Sequence, residues 1–271
     1  MPITVENVGR IYSTGVMALD NISLTIPDGQ FVSLLGTSGC GKSTLLAILA
    51  GLDAPTTGGV SVAGRVGMVF QEAALFAWRT VRDNVAFGLE MQGMGKAERL
   101  ARADTVLKLV HLSRFANAYP HELSGGMRQR AAIARALVTD QDVLVMDEPF
   151  AALDAQTRAL LQSELLLVWE RTRKTVVFVT HGLDEALALS DRVILLSARP
   201  GRIIGDFAVD APRPRDPHTD PALAALRHHL MTMLSHEVEK VARDEHDENW
   251  EGLSELEPKR PSPKEDIGAE I

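Results

Sequence analysis

One glycine-rich segment near the start of the chain has the residue types and the spacing of a phosphate-binding loop. The pattern G-x-x-x-x-G-K-[ST] is matched by Gly36, Thr37, Ser38, Gly39, Cys40, Gly41, Lys42, Ser43 and Thr44. Glycines let the backbone approach phosphate oxygens closely. The Lys42 ammonium can reach the terminal phosphates of a nucleotide, and the Ser43 hydroxyl can ligate Mg²⁺. The segment therefore predicts a site for a nucleotide and a magnesium ion.

The residues on either side of this loop are those that the pattern requires. Residues 31–35 form a short apolar run of strand length, and Leu45, Leu46, Ile48 and Leu49 recur at helical spacing. A phosphate loop lies between a buried strand and a helix. A glycine-rich turn that arose by chance is not expected to have both a buried strand before it and a helix after it. We therefore favour the phosphate-binding function over a simple turn.

An acidic pair follows a second apolar run, residues 143–146. Asp147, at the end of that strand, fits the carboxylate that holds the metal directly or through water. Glu148 comes one residue later and points elsewhere, where it can orient or deprotonate an attacking water. An acidic pair at a strand end can also be simply solvated. Together with the phosphate loop, it predicts nucleotide hydrolysis.

A second candidate anion site lies far downstream of the first. Ser124, Gly125 and Gly126 stand ahead of a run with helical periodicity that includes Ile133 and Leu137. Free backbone N–H groups and a hydroxyl at a helix N-terminus bind anions. The chain thus has two phosphate-binding elements, and their separation has to be explained.

With these motifs in this order, residues 3–205 strongly resemble the nucleotide-binding subunit of ABC transporters. Five further motifs of the family are present. Tyr12 matches the aromatic residue that stacks on adenine, Gln71 matches the Q-loop glutamine, and Ser124 with Gly125 and Gly126 matches the signature. Asp154 matches the D-loop aspartate and His181 the switch histidine. Each of three residues has an alternative role when it is taken singly: Tyr12 as a packing aromatic, His181 as a satisfied histidine and Asp154 as a helix N-cap. Asp154 can serve in both ways.

The resemblance implies an α/β fold of the P-loop NTPase type. We expect a parallel-sheet core, an antiparallel β subdomain and a helical subdomain. The nucleotide-binding domain is expected at residues 1–210, with the helical subdomain inserted at about 86–135 and hinged at Gln71. Residues 211–271 are expected to form a C-terminal extension, a helix followed by an acidic disordered tail.

The resemblance also implies an ATPase that uses ATP and Mg²⁺. The expected catalytic residues are Glu148, His181, Gln71 and Lys42, and the expected metal-site residues are Ser43, Gln71 and Asp147. In the family, the signature of one subunit faces the phosphate loop of a second subunit. We therefore expect Ser124, Gly125, Gly126 and Asp154 to act on the ATP of a partner, in a homodimer of this chain.

Several phrases resemble the nitrate, sulfonate and taurine group of bacterial importers, namely residues 69–85, 119–123 and 198–203. We expect an importer subunit that energises uptake of a small anion or organosulfur compound through separate transmembrane permease subunits, with Phe76 and Trp78 as anchors for the permease. A periplasmic or extracellular substrate-binding protein is an indirect partner. Ala77 stands where these relatives usually have proline, and Gly182 where aspartate is common.

Three alternatives stay open at this point. The chain can belong to another transport branch, be an ABC protein that acts on ribosomes or DNA, or be a regulatory module that does not hydrolyse ATP. The importer phrases argue against the first, and the single phosphate loop and signature argue against the second. The intact Glu148 and His181 argue against the third.

Composition limits the location and the partners. No apolar run reaches the ~18 residues of a membrane-spanning helix, and the first ten residues lack the apolar core of a signal peptide. The single cysteine excludes an internal disulfide and suits the cytoplasm. No basic stripe suggests nucleic-acid binding. We expect a peripheral protein at the cytoplasmic face of the inner membrane.

The predicted C-terminal extension begins with a proline-rich linker, Pro212 to Pro221. After it, one apolar helix face is expected to pack on the body; its members are Leu223, Leu226, Leu230, Met233, Leu234, Val238 and Val241. His228, His229 and His236 lie nearby, but they have no cysteine beside them, so a solvated face is favoured over a metal site. The tail beyond about residue 244 is strongly acidic and is expected to be disordered.

Overall fold

Two β-sheets and seven α-helices are formed by residues 3–245, the part of the chain that the computed structural model describes. The strands are β1 (Ile3–Ile11), β2 (Met17–Ile26), β3 (Phe31–Leu35), β4 (Thr57–Val62), β5 (Val66–Val69), β6 (Val143–Asp147), β7 (Thr175–Val179), β8 (Arg192–Leu196) and β9 (Ile203–Ala208). The helices are α1 (Lys42–Leu49), α2 (Val81–Met91), α3 (Lys96–Leu109), α4 (Gly125–Leu137), α5 (Ala155–Thr172), α6 (Leu183–Leu189) and α7 (Pro221–Glu245).

The larger sheet has six strands in the order β5-β6-β7-β3-β8-β9. The first five are parallel, as predicted, and β9 is antiparallel to β8. The sheet is therefore mixed rather than wholly parallel. The physical reason is the short connection between β8 and β9, residues 197–202, since a parallel neighbour needs a crossover of a dozen or more residues.

The central strands are apolar on both faces because layers cover both sides of the sheet. On one face, Leu144 and Met146 pack into a core with α2 to α5. On the other, Val143 and Val145 pack into a core with α1 and the smaller sheet. Continuous apolar runs of this kind are typical of buried parallel strands. For this reason β3, β6 and β7 can be predicted from the sequence.

The smaller sheet is antiparallel, with strand order β2-β1-β4. This confirms the predicted antiparallel β region, and the predicted strand at residues 22–26 forms the last part of β2. The inward face of this sheet packs on α1 and on the larger sheet. The first turn of the smaller sheet is thereby held beside the loop that follows β3.

Helices α2, α3 and α4 pack on one another, and α4 packs on β5. Helix α2 begins at Val81, where the Thr80 hydroxyl accepts a hydrogen bond from the Asp83 N–H. Helix α4 begins at Gly125, with Ser124 as its N-cap. The limits of the domains stay a prediction from the sequence.

The C-terminal helix α7 lies against α6, β8 and β9, with Leu223 and Leu230 buried. The predicted apolar face is wrong at its far end, because Val238 is 56% exposed. The buried position two helical turns after Leu230 is occupied by Glu237, which is only 4% exposed. The predicted disordered tail lies outside the described residues. Within residues 3–245 no helix is long and apolar enough to cross a membrane.

Candidate active site

The phosphate loop connects the buried strand β3 to helix α1, as its sequence predicts. At Gly41 the backbone has φ 99°, and a Cβ there would lie 2.6 Å from the Ala18 carbonyl oxygen. Only glycine fits both the left-handed conformation and this close approach. The loop is thereby pressed against β2, and the N-terminus of α1 faces the space that the loop encloses.

Lys42 is held inside the loop by its own backbone. Its side chain is 6% exposed, and its Nζ donates to the carbonyl oxygens of Gly36 and Thr37 at 2.8 Å each. The buried Thr37 hydroxyl has no hydrogen-bond partner in the described part of the chain. The buried Cys40 thiol lies 3.6 Å from Lys42 Nζ. A preorganised ammonium and backbone N–H groups at a helix N-terminus fit a phosphate chain.

Asp147 and Ser43 form the part of the site that fits Mg²⁺. Asp147 ends β6 and is 7% exposed. Burial raises the pKa of this carboxyl, and its hydrogen bond with Ser43 acts in the opposite direction. A hydroxyl and a single carboxylate are oxygen donors of the kind that bind Mg²⁺ together with phosphate oxygens and water. The residues present therefore fit the ion.

Glu148 is next to Asp147 in sequence, but its side chain lies in a different group of residues. The backbone of Glu148 is left-handed, with φ 44°. Its Oε2 accepts a hydrogen bond from Gln71 Nε2 at 3.4 Å and lies 3.3 Å from His181 Nδ1. Three predicted catalytic side chains thus meet, although they come from the ends of β5, β6 and β7. The order of the parallel strands explains the meeting, since adjacent strands end at one edge of the sheet.

A cavity of about 300 Å³ lies in front of the loop. Of the predicted site residues it is lined by Tyr12, Ser38, Gly39, Gly41, Lys42, Ser43, Thr44, Gln71 and Glu148. The Tyr12 hydroxyl lies 3.0 Å from Thr44 Oγ1, and the Arg10 guanidinium lies 4.8 Å from the Tyr12 ring centre. Tyr12 is thus at the mouth of the cavity, and its stacking on adenine stays a prediction.

The structure does not bring the signature residues to this cavity. Ser124 caps α4, where its hydroxyl accepts from the Met127 N–H at 3.3 Å. Ser124 and Gly125 are exposed to solvent, and Gly126 packs beside Leu153. Asp154 is exposed as well, and its carboxylate accepts from the Thr157 N–H at 2.9 Å. That hydrogen bond lowers the Asp154 pKa and confirms the predicted N-cap role.

Two functional features were missed in the sequence. Arg199 lines the cavity beside Lys42, whereas the sequence around it indicates only a resemblance to importers. Glu185 lies behind His181: the Thr180 hydroxyl and Gln162 Nε2 both donate to its carboxylate. The Gly182 N–H donates to Thr180 Oγ1 at 2.9 Å, which closes the turn that carries His181. Burial raises the Glu185 pKa. The available signal in the sequence is a glutamate four residues after the histidine, which the structure places on the first turn of α6.

Helix α4 is tied directly to the segment that follows Gln71. Arg135 donates to the carbonyl oxygens of Ala73 and Ala74, at 3.0 Å and 2.7 Å. Gln129 Nε2 donates to the Phe70 carbonyl oxygen at 3.1 Å. Residues 71–76 are called the glutamine loop below. The signature helix α4 cannot move relative to this loop without breaking these hydrogen bonds.

The two aromatic residues predicted to anchor a membrane partner lie in the same segment. Phe76 packs on Phe87, with ring centres 4.6 Å apart, and Trp78 lies against Phe76 at 5.5 Å. Trp78 is 75% exposed. An exposed tryptophan supported by a packed phenylalanine is typical of a protein–protein contact.

Comparisons with known proteins agree with this geometry. A family model described as ABC transporter matches residues 19–151. An ABC transporter ATP-binding protein of Methanocaldococcus jannaschii is 49% identical over 249 residues, which cover 88% of this chain and 93% of that protein. The taurine import ATP-binding protein TauB of Rhizobium johnstonii is 45% identical over 238 residues, covering 82% of this chain and 91% of TauB. The nitrate import ATP-binding protein NrtD of Synechocystis sp. is 40% identical over 265 residues, covering 94% of this chain and 100% of NrtD.

The fold comparison points the same way. A dimeric ATP-binding cassette in a post-hydrolysis state, bound to ADP and Pi, superposes with a TM-score of 0.73 at 35% identity. The match covers 78% of this chain and 100% of that one. The relatives share sequence over most of their length, Glu148 lines the cavity of the phosphate loop, and His181 lies beside Glu148. The chain therefore belongs to the ABC transporter family, as an ATP-binding subunit that hydrolyses ATP with Mg²⁺.

Proposed function

We propose that this chain energises a bacterial importer of the nitrate, sulfonate and taurine type. The observation that carries the proposal is the likeness to the taurine and nitrate import proteins over more than four-fifths of the chain. It is supported by the exposed Trp78 beside the glutamine loop, which supplies a surface for a permease. The transported solute is a small anion or an organosulfur compound.

The reaction is the hydrolysis of ATP to ADP and phosphate. Lys42 and the loop N–H groups hold the β- and γ-phosphates, and Ser43, Asp147 and Gln71 would hold Mg²⁺, which would offset the charge of the phosphate oxygens. Glu148 orients a water and accepts its proton as the water attacks the γ-phosphorus in line, while the bond from that phosphorus to the β–γ bridging oxygen breaks and ADP leaves. His181, 3.3 Å from Glu148, contacts the γ-phosphate and keeps the carboxylate in place.

Each ATP is enclosed by two copies of the chain arranged head to tail. Ser124, Gly125 and Gly126 of one copy contact the γ-phosphate bound by the other, and Asp154 contacts the partner near His181. Two observations support this arrangement: these residues are absent from the lining of the chain's own cavity, and Ser124 and Gly125 are exposed. A homodimer results, with α4 aiming its positive end at the partner's ATP.

The partners follow from this architecture. Separate transmembrane permease subunits dock on the segment that carries Phe76 and Trp78, at the cytoplasmic face of the inner membrane. A periplasmic or extracellular substrate-binding protein delivers the solute to the permease. Closure of the dimer moves the glutamine loop, because Arg135 and Gln129 join that loop to the signature helix.

Uptake in a strain that lacks the gene tests the proposal. The strain is complemented with the wild-type chain or with Glu148→Gln, and uptake of nitrate, taurine, alkanesulfonates and pyrimidine precursors is compared. We expect one of the first three to be restored by the wild type only. In the purified variant, ATP binding should persist while turnover falls ~10²-fold or more, because the general base is lost. Normal hydrolysis by Glu148→Gln would contradict the role given to Glu148. Uptake of all these solutes that is unaffected by the deletion would contradict the importer function.

A further inference from the structure

The connection between β8 and β9 is pressed directly onto the phosphate loop. This connection, residues 197–202, is called the Arg199 loop below. At Gly201 an added Cβ would lie 2.1 Å from the Cys40 carbonyl oxygen. The Gly201 N–H donates to the Ala18 carbonyl at 2.9 Å, and the Gly201 carbonyl accepts from the Asp20 N–H at 3.0 Å. The Arg199 loop is thus fastened to β2 and leaves no gap above Cys40.

Within that loop, Arg199 faces the cavity in front of the phosphate loop. Its side chain lines the same cavity as Tyr12, Lys42 and Thr44. Its Nε donates to the Gly39 carbonyl at 3.2 Å, and its terminal nitrogen lies 3.0 Å from where a Gly39 Cβ would be. Gly39 therefore gives the guanidinium room to lie on the phosphate loop. No other hydrogen bond engages Arg199 among the described residues, so its remaining donors are available to a ligand.

We propose that Arg199 is an additional phosphate-binding residue of the ATP site, positioned by Glu237 of the C-terminal helix. The charged groups that line the cavity are Lys42, Arg199 and Glu148. A triphosphate carries more negative charge than Lys42 and Mg²⁺ together offset, and a guanidinium forms short, charge-assisted hydrogen bonds to phosphate oxygens. The proposal rests on ATP lying in the phosphate loop, but not on the identity of the solute.

Glu237 holds the Arg199 loop from the other side. Its Oε2 accepts from the Ala198 N–H at 2.7 Å, and its Oε1 is paired with Lys240. The Glu237 side chain is nearly buried, so this contact is shielded from water and is worth more than a surface bond. Through Ala198 and Arg199, α7 thereby reaches the phosphate loop. Glu237 does not itself line the cavity, so its role is positional.

The test is ATP affinity of the full-length chain, measured by competition with a fluorescent ATP analogue. Arg199→Ala should raise the Kd for ATP about tenfold or more, as expected for a lost hydrogen bond to a charged group. Arg199→Lys should lose less. Arg65→Ala removes the same charge from an exposed site beside Asp140 and should leave the Kd unchanged. A Kd for Arg199→Ala within about twofold of the wild type would overturn the proposal.

The positional role is tested by a double-variant cycle. Glu237→Ala should weaken ATP binding, and Glu237→Gln, which keeps an acceptor for Ala198, should weaken it less. Adding Glu237→Ala to Arg199→Ala should cause no further loss, because both act through one guanidinium. Glu239→Ala, on the same helix but exposed, is the matched control. Additive losses would overturn the positional role. Tight ATP binding by Lys42→Ala would instead refute ATP binding at the phosphate loop itself.

Discussion

Asp147 and Glu148 show how two adjacent carboxylates acquire different tasks. Asp147 is the last residue of a buried strand, and Ser43 counteracts the rise that burial causes in the Asp147 pKa. At Glu148 the backbone turns into the left-handed region, and its N–H donates to the Val179 carbonyl at 3.0 Å. A non-glycine residue with this φ is uncommon, and such strain often marks a functional position. Here it directs the second carboxylate to His181 and Gln71.

The raised pKa of Asp147 predicts how magnesium dependence changes with pH. Only the deprotonated carboxylate can hold the ion, and a raised pKa means that protons compete at a higher pH than for an ordinary aspartate. The free Mg²⁺ needed for half-maximal hydrolysis should therefore begin to rise at a higher pH than it would for an aspartate of ordinary pKa, as the pH is lowered through the acidic range. The measurement is ATPase activity against free Mg²⁺, corrected at each pH for protonation of ATP.

Asp147→Asn provides the control for this pH dependence. The variant should need more Mg²⁺ at every pH, and after the correction for ATP protonation its requirement should lose the pH dependence that Asp147 causes in the wild type. If the wild-type requirement for free Mg²⁺ stays constant over the whole range, Asp147 does not hold the ion.

Among the elements, the signature helix α4 and the glutamine loop form one connected unit. Arg135, near the end of α4, donates to two successive carbonyls of the loop. Burial lowers the pKa of its guanidinium, yet arginine remains charged at physiological pH. Each bond therefore joins a charged, largely buried donor to a backbone acceptor, which is one of the stronger types of hydrogen bond.

Arg135→Ala is expected to loosen the glutamine loop without disturbing the phosphate loop. Amide hydrogen exchange should become faster at residues 71–76, turnover should fall several-fold, and the Kd for ATP should change by less than about twofold. Arg102→Ala on the neighbouring helix α3, where Arg102 forms an exposed pair with Glu98, is the control. Unchanged exchange at residues 71–76 would show that α4 does not hold the loop.

Most elements that carry the site could be predicted from the sequence, because each has a local signal. The run at residues 31–35 is β3, and the apolar run before Asp147 is β6. The contact of Gly201 with Cys40 had no such signal, because it joins residues far apart in the chain. For the same reason the role of Arg199 was not foreseen. Glu237 was missed because a charged residue at a buried helix position breaks the apolar pattern.

At the scale of the whole molecule, the signature is separated from the cavity of its own chain. Gly125 has open space around it: a Cβ there would have Arg128 Nη2 as its nearest neighbour, at 3.9 Å. A side chain at Gly125 is therefore tolerated within the chain, but would enter the space that the proposed dimer gives to the partner's γ-phosphate. Gly125→Asp also places negative charge there, while Lys42→Ala disables a phosphate loop without touching the signature.

The most direct test of the shared site is ATP hydrolysis by mixed dimers purified through two different affinity tags. A dimer of a Lys42→Ala chain with a Gly125→Asp chain should hydrolyse ATP as well as a dimer of wild type with Lys42→Ala, because each retains one intact composite site. A dimer of wild type with a chain that carries both changes should be inactive, because each site then has one defect. The opposite result, in which the last dimer is active and the first inactive, would show that each chain completes its own site.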